Sequence, residues 1–378
     1  MSGGHLVHGM GTALETPTWP VITGAEARAA LSHFPEAGHP ITLTWHSPRP
    51  FSAATLIETD RGACFLKRHH YRVRTPAALA DEHRFMTHLH GQGLSVPEVV
   101  RTADGDGAVA LGEWSYELHR NAPGVDLYRD RQSWTPFLNP GHAHAAGVAM
   151  ARLHRASRDF MADARDSHPL IASFDILPAP DPLTAAQAYI AARPALQDWL
   201  ADRPWRQELD RLFSTFGAGL APLLQRQASL WTHNDWHPSN LLWDGSGTVS
   251  TIFDFGLSTR TCALHDLAIA IERTAIRWLD MKQNPAEGLG DANAALALLA
   301  GYRSKLPLTR DDIAVLMRLL PLVHVEFALS EIDYFAGVVR DTDQAAIAWQ
   351  DYLIDHADWF AHPAGRAFLQ QIEREAQL

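Results

Sequence analysis

Thr232-His233-Asn234-Asp235-Trp236-His237-Pro238-Ser239-Asn240-Leu241-Leu242-Trp243 is the stretch on which the reading of this chain turns. Further on comes Ile252-Phe253-Asp254-Phe255-Gly256. Asp235, Asn240 and Asp254 are small oxygen-bearing side chains, each at the edge of an apolar segment. A carboxylate beside a hydroxyl can accept its proton. An amide oxygen and a second carboxylate suit Mg²⁺, which takes a few protein oxygens and completes its shell with phosphate and water. The order H-x-D-x-x-x-x-N followed by D-F-G is the arrangement of phosphoryl transfer, and both halves are present with hairpin-like sequence between them.

Upstream, the signals are those of strands. Ile41–Trp45, Ala54–Thr59 and Ala63–Lys67 are β-favouring runs, with Asp60-Arg61-Gly62 as a turn between the last two. Pro97–Thr102, Gly107–Leu111 and Trp114–His119 are further strand candidates. Between them Thr75–Gly91 reads as a helix, because Leu79, Glu82, Phe85, Met86 and Leu89 recur at spacings of three and four. The first fifteen residues show no periodicity and are expected to fray. Beyond Pro123-Gly124 the pattern turns helical: His142–Arg155, Pro182–Asp202, Pro204–Gln225, Leu264–Leu279, Ala292–Lys305, Arg310–Phe335 (kinked or split at Pro321) and the start of another at Gln344–Phe360. Short β-like pieces at Leu230–Thr232, Leu241–Trp243 and Val249–Phe253 interrupt them once. The expected plan is α+β and two-lobed. Residues 1–119 make a small antiparallel sheet with one inserted helix, and residues 120–378 a larger, mostly helical lobe holding the catalytic stretch.

Composition bounds the rest. The chain has 378 residues and a formal net charge of −11. That acidity, without a basic run, argues against a nucleic-acid or anionic-membrane partner. Two cysteines, Cys64 and Cys262, fit a reducing compartment. No basic n-region precedes an apolar stretch near Met1, and Arg318, Pro321 and His324 break the most apolar run, so neither a signal peptide nor a membrane span is expected and a cytoplasmic setting is. Only three of the 32 cationic residues are lysines, Lys67, Lys282 and Lys305. Arginine was acceptable almost everywhere else, which makes Lys67, at the end of a strand ahead of the Glu82 helix, informative.

Three stretches resemble the aminoglycoside phosphotransferase/choline kinase-like family, which includes type II homoserine kinases and has a protein-kinase-like fold. They are Phe65-Leu66-Lys67-Arg68 with Glu82 and Gly93–Pro97; Gly147–His154; and Thr232–Trp243 with Asp254–Gly256 and His265-Asp266-Leu267-Ala268. The resemblance implies an ATP-dependent, Mg²⁺-requiring kinase acting on a hydroxyl of a small molecule, with GTP as the other candidate nucleotide. Asp235 would be the catalytic base, and Asn240 and Asp254 would hold Mg²⁺. Lys67 would hold the nucleotide phosphates, oriented by Glu82, and Asp266 would brace the catalytic loop. Backbone groups around Leu118–Asn121, centred on His119, would meet the purine. Two departures stand out. Asn234 occupies the position of the family's usual Gly, and asparagine adopts unusual backbone angles more readily than most residues. The phosphate-covering loop at about Ser47–Ala54 has no glycine, which leaves backbone N–H groups near Ser52 and Ala53 to cradle phosphate.

An acidic chain suits an amine-bearing acceptor such as an amino alcohol or aminoglycoside, with Glu272, Glu326, Glu331 and Asp333 as candidate partners. Homoserine, the competing acceptor, needs a cation for its carboxylate, and Arg260 or Arg273 is available. Two other readings stay open at this point. One is a nucleotide-binding protein without catalysis on the same fold. The other is a metallohydrolase using His233, Asp235 and His237.

Overall fold

The chain begins with a ribbon of two strands, β1 (Val7–His8) and β2 (Leu14–Glu15), where fraying was expected. Contacts to residues 47–49 pin it. His8 N donates to Pro48 O at 2.8 Å, His5 Nε2 lies 3.0 Å from Ser47 O, and Arg49 Nη1 lies 3.0 Å from His8 Nδ1. Two-residue strands are too short to leave a period in the sequence. The computed structural model describes residues 5–9, 11–166, 169–284 and 286–376; Met1–Gly4 and Met10, also within the expected frayed stretch, lie outside the described residues.

Helix α1 (Gly24–Leu31) starts at a reciprocal Thr23/Glu26 capping box and buries Ala27, Ala30 and Leu31. Five strands follow: β3 (Pro40–His46), β4 (Ala53–Thr59), β5 (Gly62–His70), β6 (Ala108–Leu111) and β7 (Trp114–Arg120), antiparallel in the order β3-β4-β5-β7-β6. The β4–β5 turn needs a positive φ, which Gly62 supplies at 108°. Helix α2 (Pro76–Gly91) is inserted after β5, with Thr75 as N-cap and Pro76 in its first turn. Pro97–Thr102 does not form the expected strand. Val99 makes one bridge to His119, with Val100 N to Leu118 O and Arg120 N to Glu98 O on either side, because β6 occupies the rest of that edge of β7.

The two-residue strand period gives the sheet two unlike faces. Cys64, Leu66, Tyr116 and Leu118 join Ala27, Ala30, Leu31 and Phe34 in the apolar core. The opposite face carries the cross-strand pairs Phe65/His119, Lys67/Glu117 and His69/Ser115. This first compact unit comprises Met1–Gly124 together with Thr251–Phe253, so it runs past His119, the limit read from the sequence. The returning segment is held by Ile252 N to Ser95 O at 3.1 Å and by Thr251 Oγ1 donating to Pro123 O at 2.7 Å.

The second unit, Val125–Ser250 with Asp254–Leu378, is mostly helical. Its elements, with β10 divided between the two units, are α3 (Pro140–Ala156), α4 (Pro182–Ala191), α5 (Pro194–Leu200), α6 (Trp205–Phe216), α7 (Ala221–Leu224), β8 (Ser229–Thr232), β9 (Leu241–Trp243), β10 (Val249–Ile252), β11 (Thr259–Cys262), α8 (Ala263–Ala275), α9 (Ala292–Arg303), α10 (Arg310–Leu319), α11 (Val325–Asp333), α12 (Thr342–Ile347), α13 (Asp355–Ala361) and α14 (Pro363–Ala376). Pro194 starts a new helix where Pro182–Asp202 reads as one. At Pro321, where a kink or split was expected, α10 ends at Leu319, one 3-10 turn spans Leu320–Leu322 and α11 starts at Val325; a π-turn follows at Tyr334–Val339. The resulting run Arg310–Val339 is long and apolar enough to cross a membrane by length and composition, which the sequence reading did not anticipate. Some 89% of its most apolar window is buried within the structure.

Helices α3 and α9 cross at mutual glycines. A Cβ on Gly147 would fall 2.0 Å from Leu298 O, and one on Gly301 would fall 1.9 Å from His144 O. Gly147 is thus the residue that lets α3 pass close to α9.

Candidate catalytic site

Strand β8 pairs with β11, a strand that the sequence reading missed, in register Thr232–Thr259 through Ser229–Cys262. The loop leaving β8 is shaped by Asp266 in the first turn of α8. Its Oδ1 accepts Asn234 N at 2.8 Å and its Oδ2 accepts His233 N at 3.0 Å. Asn234 has φ +59°, the left-handed region that asparagine tolerates, and its amide oxygen accepts from Thr232 Oγ1 at 3.0 Å.

Burial would push the Asp266 carboxyl up, but hydrogen bonding and charge from His154, the charge of His233 and the Asn234 N–H outweigh it and hold the group below its ordinary value. His154 Nε2 sits 2.9 Å from Asp266 Oδ2, and its Nδ1 lies 2.9 Å from Tyr302 Oη. His154 was quoted in the sequence as part of a motif but given no role. Its partner lies 112 residues away, so only the folded chain reveals the pair.

Asp235 is half-buried and meets three groups. Asn240 Nδ2 donates to its main-chain oxygen at 2.9 Å and to Oδ2 at 3.0 Å. His237 Nε2 lies 3.4 Å from Oδ1, and Arg273 Nη1 donates to the same oxygen. With the Asn240 amide nitrogen committed to Asp235, its oxygen is the end left to serve a cation. Asn240 immediately precedes β9, and Asp254 follows β10, its partner in a two-stranded ladder. Both therefore stand at the open end of one hairpin. Asp254 has φ +59°, and the buried Arg165 holds the segment after it by donating to Gly256 O at 3.0 Å and Ser258 O at 3.2 Å. Sequence reading did not single out Arg165.

The cluster His233, Asp235 and His237 does not form the ligand set of a metallohydrolase. His233 is fully buried, its ring packs against Trp236 and Phe255, and its Nδ1 accepts Asp235 N at 3.2 Å. His237 Nδ1 pairs with Ser239 Oγ at 2.9 Å.

The acceptor candidates separate by their contacts. Glu326 is used structurally, accepting Ser173 Oγ at 2.6 Å, Ile176 N at 2.9 Å and Asp175 N at 3.0 Å. Arg260 is turned to Ser229 Oγ and Ala162 O. Arg273, by contrast, is buried beside Asp235 with its guanidinium near the rings of Trp134 and Phe327, and burial lowers its pKa. Glu272 holds His356 Nδ1 at 2.9 Å. Burial and the neighbouring Glu331 push the Glu272 carboxyl well up. Glu331 is fully buried, and neither carboxylate oxygen has a hydrogen-bond partner among the described residues. Burial raises its pKa to about 8, against the pull of Arg273.

In the sheet unit, Lys67 is half-exposed on β5, two residues before the strand's buried His69, and Glu82 is buried on α2. Ser52 ends the β3–β4 loop and Ala53 opens β4 opposite Arg68; Ser47 N donating to Ala54 O closes that loop. His119 lies inside β7, not in a connector. Leu118 O and Arg120 N are spent on Val100 and Glu98, and Asn121 N on Ala63 O, so these groups serve the sheet. Its imidazole turns to Glu117, with Nε2 3.0 Å from Oε2.

A model of the phosphotransferase enzyme family matches residues 51–307. Homoserine kinase of Rhodopseudomonas palustris (strain HaA2) is 29% identical over 224 residues, covering 57% of this chain and 58% of that protein; the chain thus spans less than two thirds of that relative's length. Homoserine kinase of Zymomonas mobilis is 23% identical over 309 residues, 82% of this chain and 86% of that one. Among solved structures, an amicoumacin kinase in complex with AMP-PNP, Ca²⁺ and Ami is 16% identical, covers 89% of this chain and 90% of its own, and superposes with a TM-score of 0.54.

Proposed function

We propose that this chain, which belongs to the phosphotransferase enzyme family and is a small-molecule kinase, transfers phosphate from Mg·ATP to the hydroxyl of a small amino alcohol, homoserine first among them. The observation that carries the reading is the Asp235–Asn240 pair. The amide nitrogen of Asn240 positions the Asp235 carboxylate and leaves the amide oxygen for a cation. In this reading Asp235 takes the proton of the acceptor hydroxyl, and Asn240 with Asp254 holds Mg²⁺ through oxygen ligands. The bound ion neutralises charge on the transferring phosphoryl group. Lys67, oriented by Glu82, supplies the cation for the nucleotide phosphates, and the backbone at Ser52 and Ala53 covers them. ATP and Mg²⁺ as reactants suit a cytoplasmic setting.

The acceptor follows from charge. Arg273 stands beside the carboxylate that would take the proton, and the buried Glu331 has two oxygens without hydrogen-bond partners among the described residues. A small zwitterion offers a carboxylate to the first and an ammonium to the second, and homoserine carries both on its α-carbon with the hydroxyl at the end of its side chain. The homoserine kinase relatives support the same choice. The test is phosphate transfer from ATP, with and without Mg²⁺, across L-homoserine, simple amino alcohols and aminoglycosides. Turnover is expected on homoserine or a simple amino alcohol and only with the divalent ion. Nucleotide binding without the metal and without transfer to any acceptor would instead favour the non-catalytic reading.

A further inference from the structure

The polar face of the sheet holds a second cluster that phosphoryl transfer does not use. Alternation places His69 on β5 and Glu117 and His119 on β7 on one face, and α2 lays His83 over them. Three imidazoles converge on one carboxylate. His69 Nε2 is 2.8 Å from Glu117 Oε1, His83 Nε2 is 2.7 Å from Oε2, and His119 Nε2 is 3.0 Å from the same oxygen. All four residues are buried, and ligand atoms of His83, Glu117 and His119 lie within 4.8 Å of one another.

Ordinary packing does not call for this arrangement. The Nδ1 atoms of His83 and His119 are buried without a hydrogen-bond partner among the described residues. The His83 ring also occupies a slot that exists because residue 107 is glycine: a Cβ there would stand 2.1 Å from His83 Nδ1. Burial alone would raise the Glu117 carboxyl; the charge and hydrogen bond of His119 and the hydrogen bonds of His69 and His83 hold it well below its ordinary value instead.

We propose that His69, His83, His119 and Glu117 form a transition-metal site, zinc by preference, within the sheet unit. Three nitrogens and one carboxylate suit zinc and similar ions, whereas Mg²⁺ selects oxygen. Tetrahedral zinc with bonds of about 2.0–2.1 Å separates its ligand atoms by roughly 3.3 Å. The N···O separations of His83 and His119 from Glu117, 2.7 and 3.0 Å, need to open by only a few tenths of an ångström. His69, on the other Glu117 oxygen at 2.8 Å and outside the set whose ligand atoms lie within 4.8 Å of one another, moves further to join as the fourth ligand. On binding, a neutral imidazole carries its proton on Nδ1 instead of Nε2, an imidazolium releases its Nε2 proton to solvent, and the Nε2 lone pairs turn to the metal. The ion would tie β5, α2 and β7 together two residues from Lys67 and next to Glu82. Its role is structural, setting the strand that carries the lysine against the helix that carries the glutamate.

The test uses the full chain, dialysed against chelator and then titrated with zinc in competition with a chromophoric chelator, with metal counted by mass spectrometry. One zinc per chain is expected. It should be lost in His83→Asn and in Glu117→Gln and retained in Asp254→Ala, which alters the oxygen-ligand site only. X-ray absorption fine structure on the zinc-loaded wild-type chain needs no variant, and should show a shell dominated by imidazole nitrogen. Zinc content no higher than in His83→Asn, loss of the ion in Asp254→Ala, or an all-oxygen shell would each overturn the proposal and leave the cluster as a hydrogen-bond hub.

Discussion

Replacing Asp266 with asparagine removes a buried carboxylate that holds the loop after β8 from beneath. Asp266 is 0% exposed and accepts three hydrogen bonds, from Asn234 N at 2.8 Å, His233 N at 3.0 Å and His154 Nε2 at 2.9 Å. Asparagine has one oxygen, so its NH₂ must face an N–H donor on one side. A charge-assisted bond is worth about 1.5–3 kcal/mol, and a buried donor left without an acceptor costs about 1–3 kcal/mol. Together they predict a loss of about 3–5 kcal/mol, in line with breaking a buried ion pair and large beside a whole-protein stability of about 5–15 kcal/mol. The assay is urea denaturation followed by circular dichroism, with the midpoint falling and the slope unchanged. His154→Phe, alone and combined with Asp266→Asn, should be markedly non-additive because the two residues share a contact. The acid limb carries a second signature. The Asp266 carboxyl is depressed in the folded chain, so its contribution is present above the unfolded value of 3.8 and is lost as pH falls through the folded one. Asp266→Asn should flatten that limb. A midpoint shift equivalent to less than about 1 kcal/mol, with full additivity, would refute the bracing role.

Asp235→Asn should lower turnover by roughly 10²–10⁴-fold, as for loss of a positioned base, and should also lower the melting temperature because the buried Arg273 loses its carboxylate partner; unaltered turnover in the folded variant would remove Asp235 from the mechanism. Lys67→Arg should weaken kcat/KM at least about tenfold, or about 1.4 kcal/mol, because a planar fork does not replace a compact ammonium. The same change at exposed Lys282, paired with Asp351 at 2.5 Å, or at exposed Lys305 should be silent, and equal tolerance at all three would make the lysine count mere composition. Gly147→Ala should cost about 1–3 kcal/mol by overpacking, since its Cβ meets main-chain oxygen rather than a movable side chain; a wild-type midpoint would show that α3 and α9 part freely. Glu331 binds its proton more tightly folded, with a pKa of about 8 against an ordinary 4.5. Its contribution to stability is therefore present below the unfolded value and lost as pH rises through about 8. The KM of an amine-bearing acceptor should fall over the same rise, as the carboxylate forms, and Glu331→Gln should abolish both trends.

Much of the organisation was legible in the chain because it is local. Helix α2 announces itself through Thr75, Pro76 and the spacing of Leu79, Phe85, Met86 and Leu89, and each is a property of neighbours on one turn or the next. Strands β4 and β5 show in their β-branched and alternating runs and in the Gly62 turn. What was misread lay at pairings of low information. The ribbon β1–β2 is too short for a period, Pro97–Thr102 has one bridge because β6 holds the edge, and β11 is four residues long in the midst of polar sequence. The split expected at Pro321 is present, with α10 ending at Leu319, a 3-10 turn at Leu320–Leu322 and α11 starting at Val325.

The same division holds for the site. Asp235, Asn240 and Asp254 stand out by order and spacing, since a catalytic loop followed by a hairpin fixes its oxygen atoms through a few consecutive residues. By itself the sequence therefore determined the α+β plan, the phosphotransferase resemblance and which oxygens to examine. Only the tertiary structure decided what those residues touch. Arg273 reaches Asp235 from α8, Asp266 takes the loop's N–H groups with His154 behind it, and Glu331 is left with two buried oxygens that have no hydrogen-bond partner among the described residues. His69, His83 and His119 converge on Glu117 from two strands and a helix. Apart from His119 and Glu117, which share a strand, these contacts join residues tens to more than a hundred positions apart, and no local periodicity encodes a distance that only the packing of the chain creates.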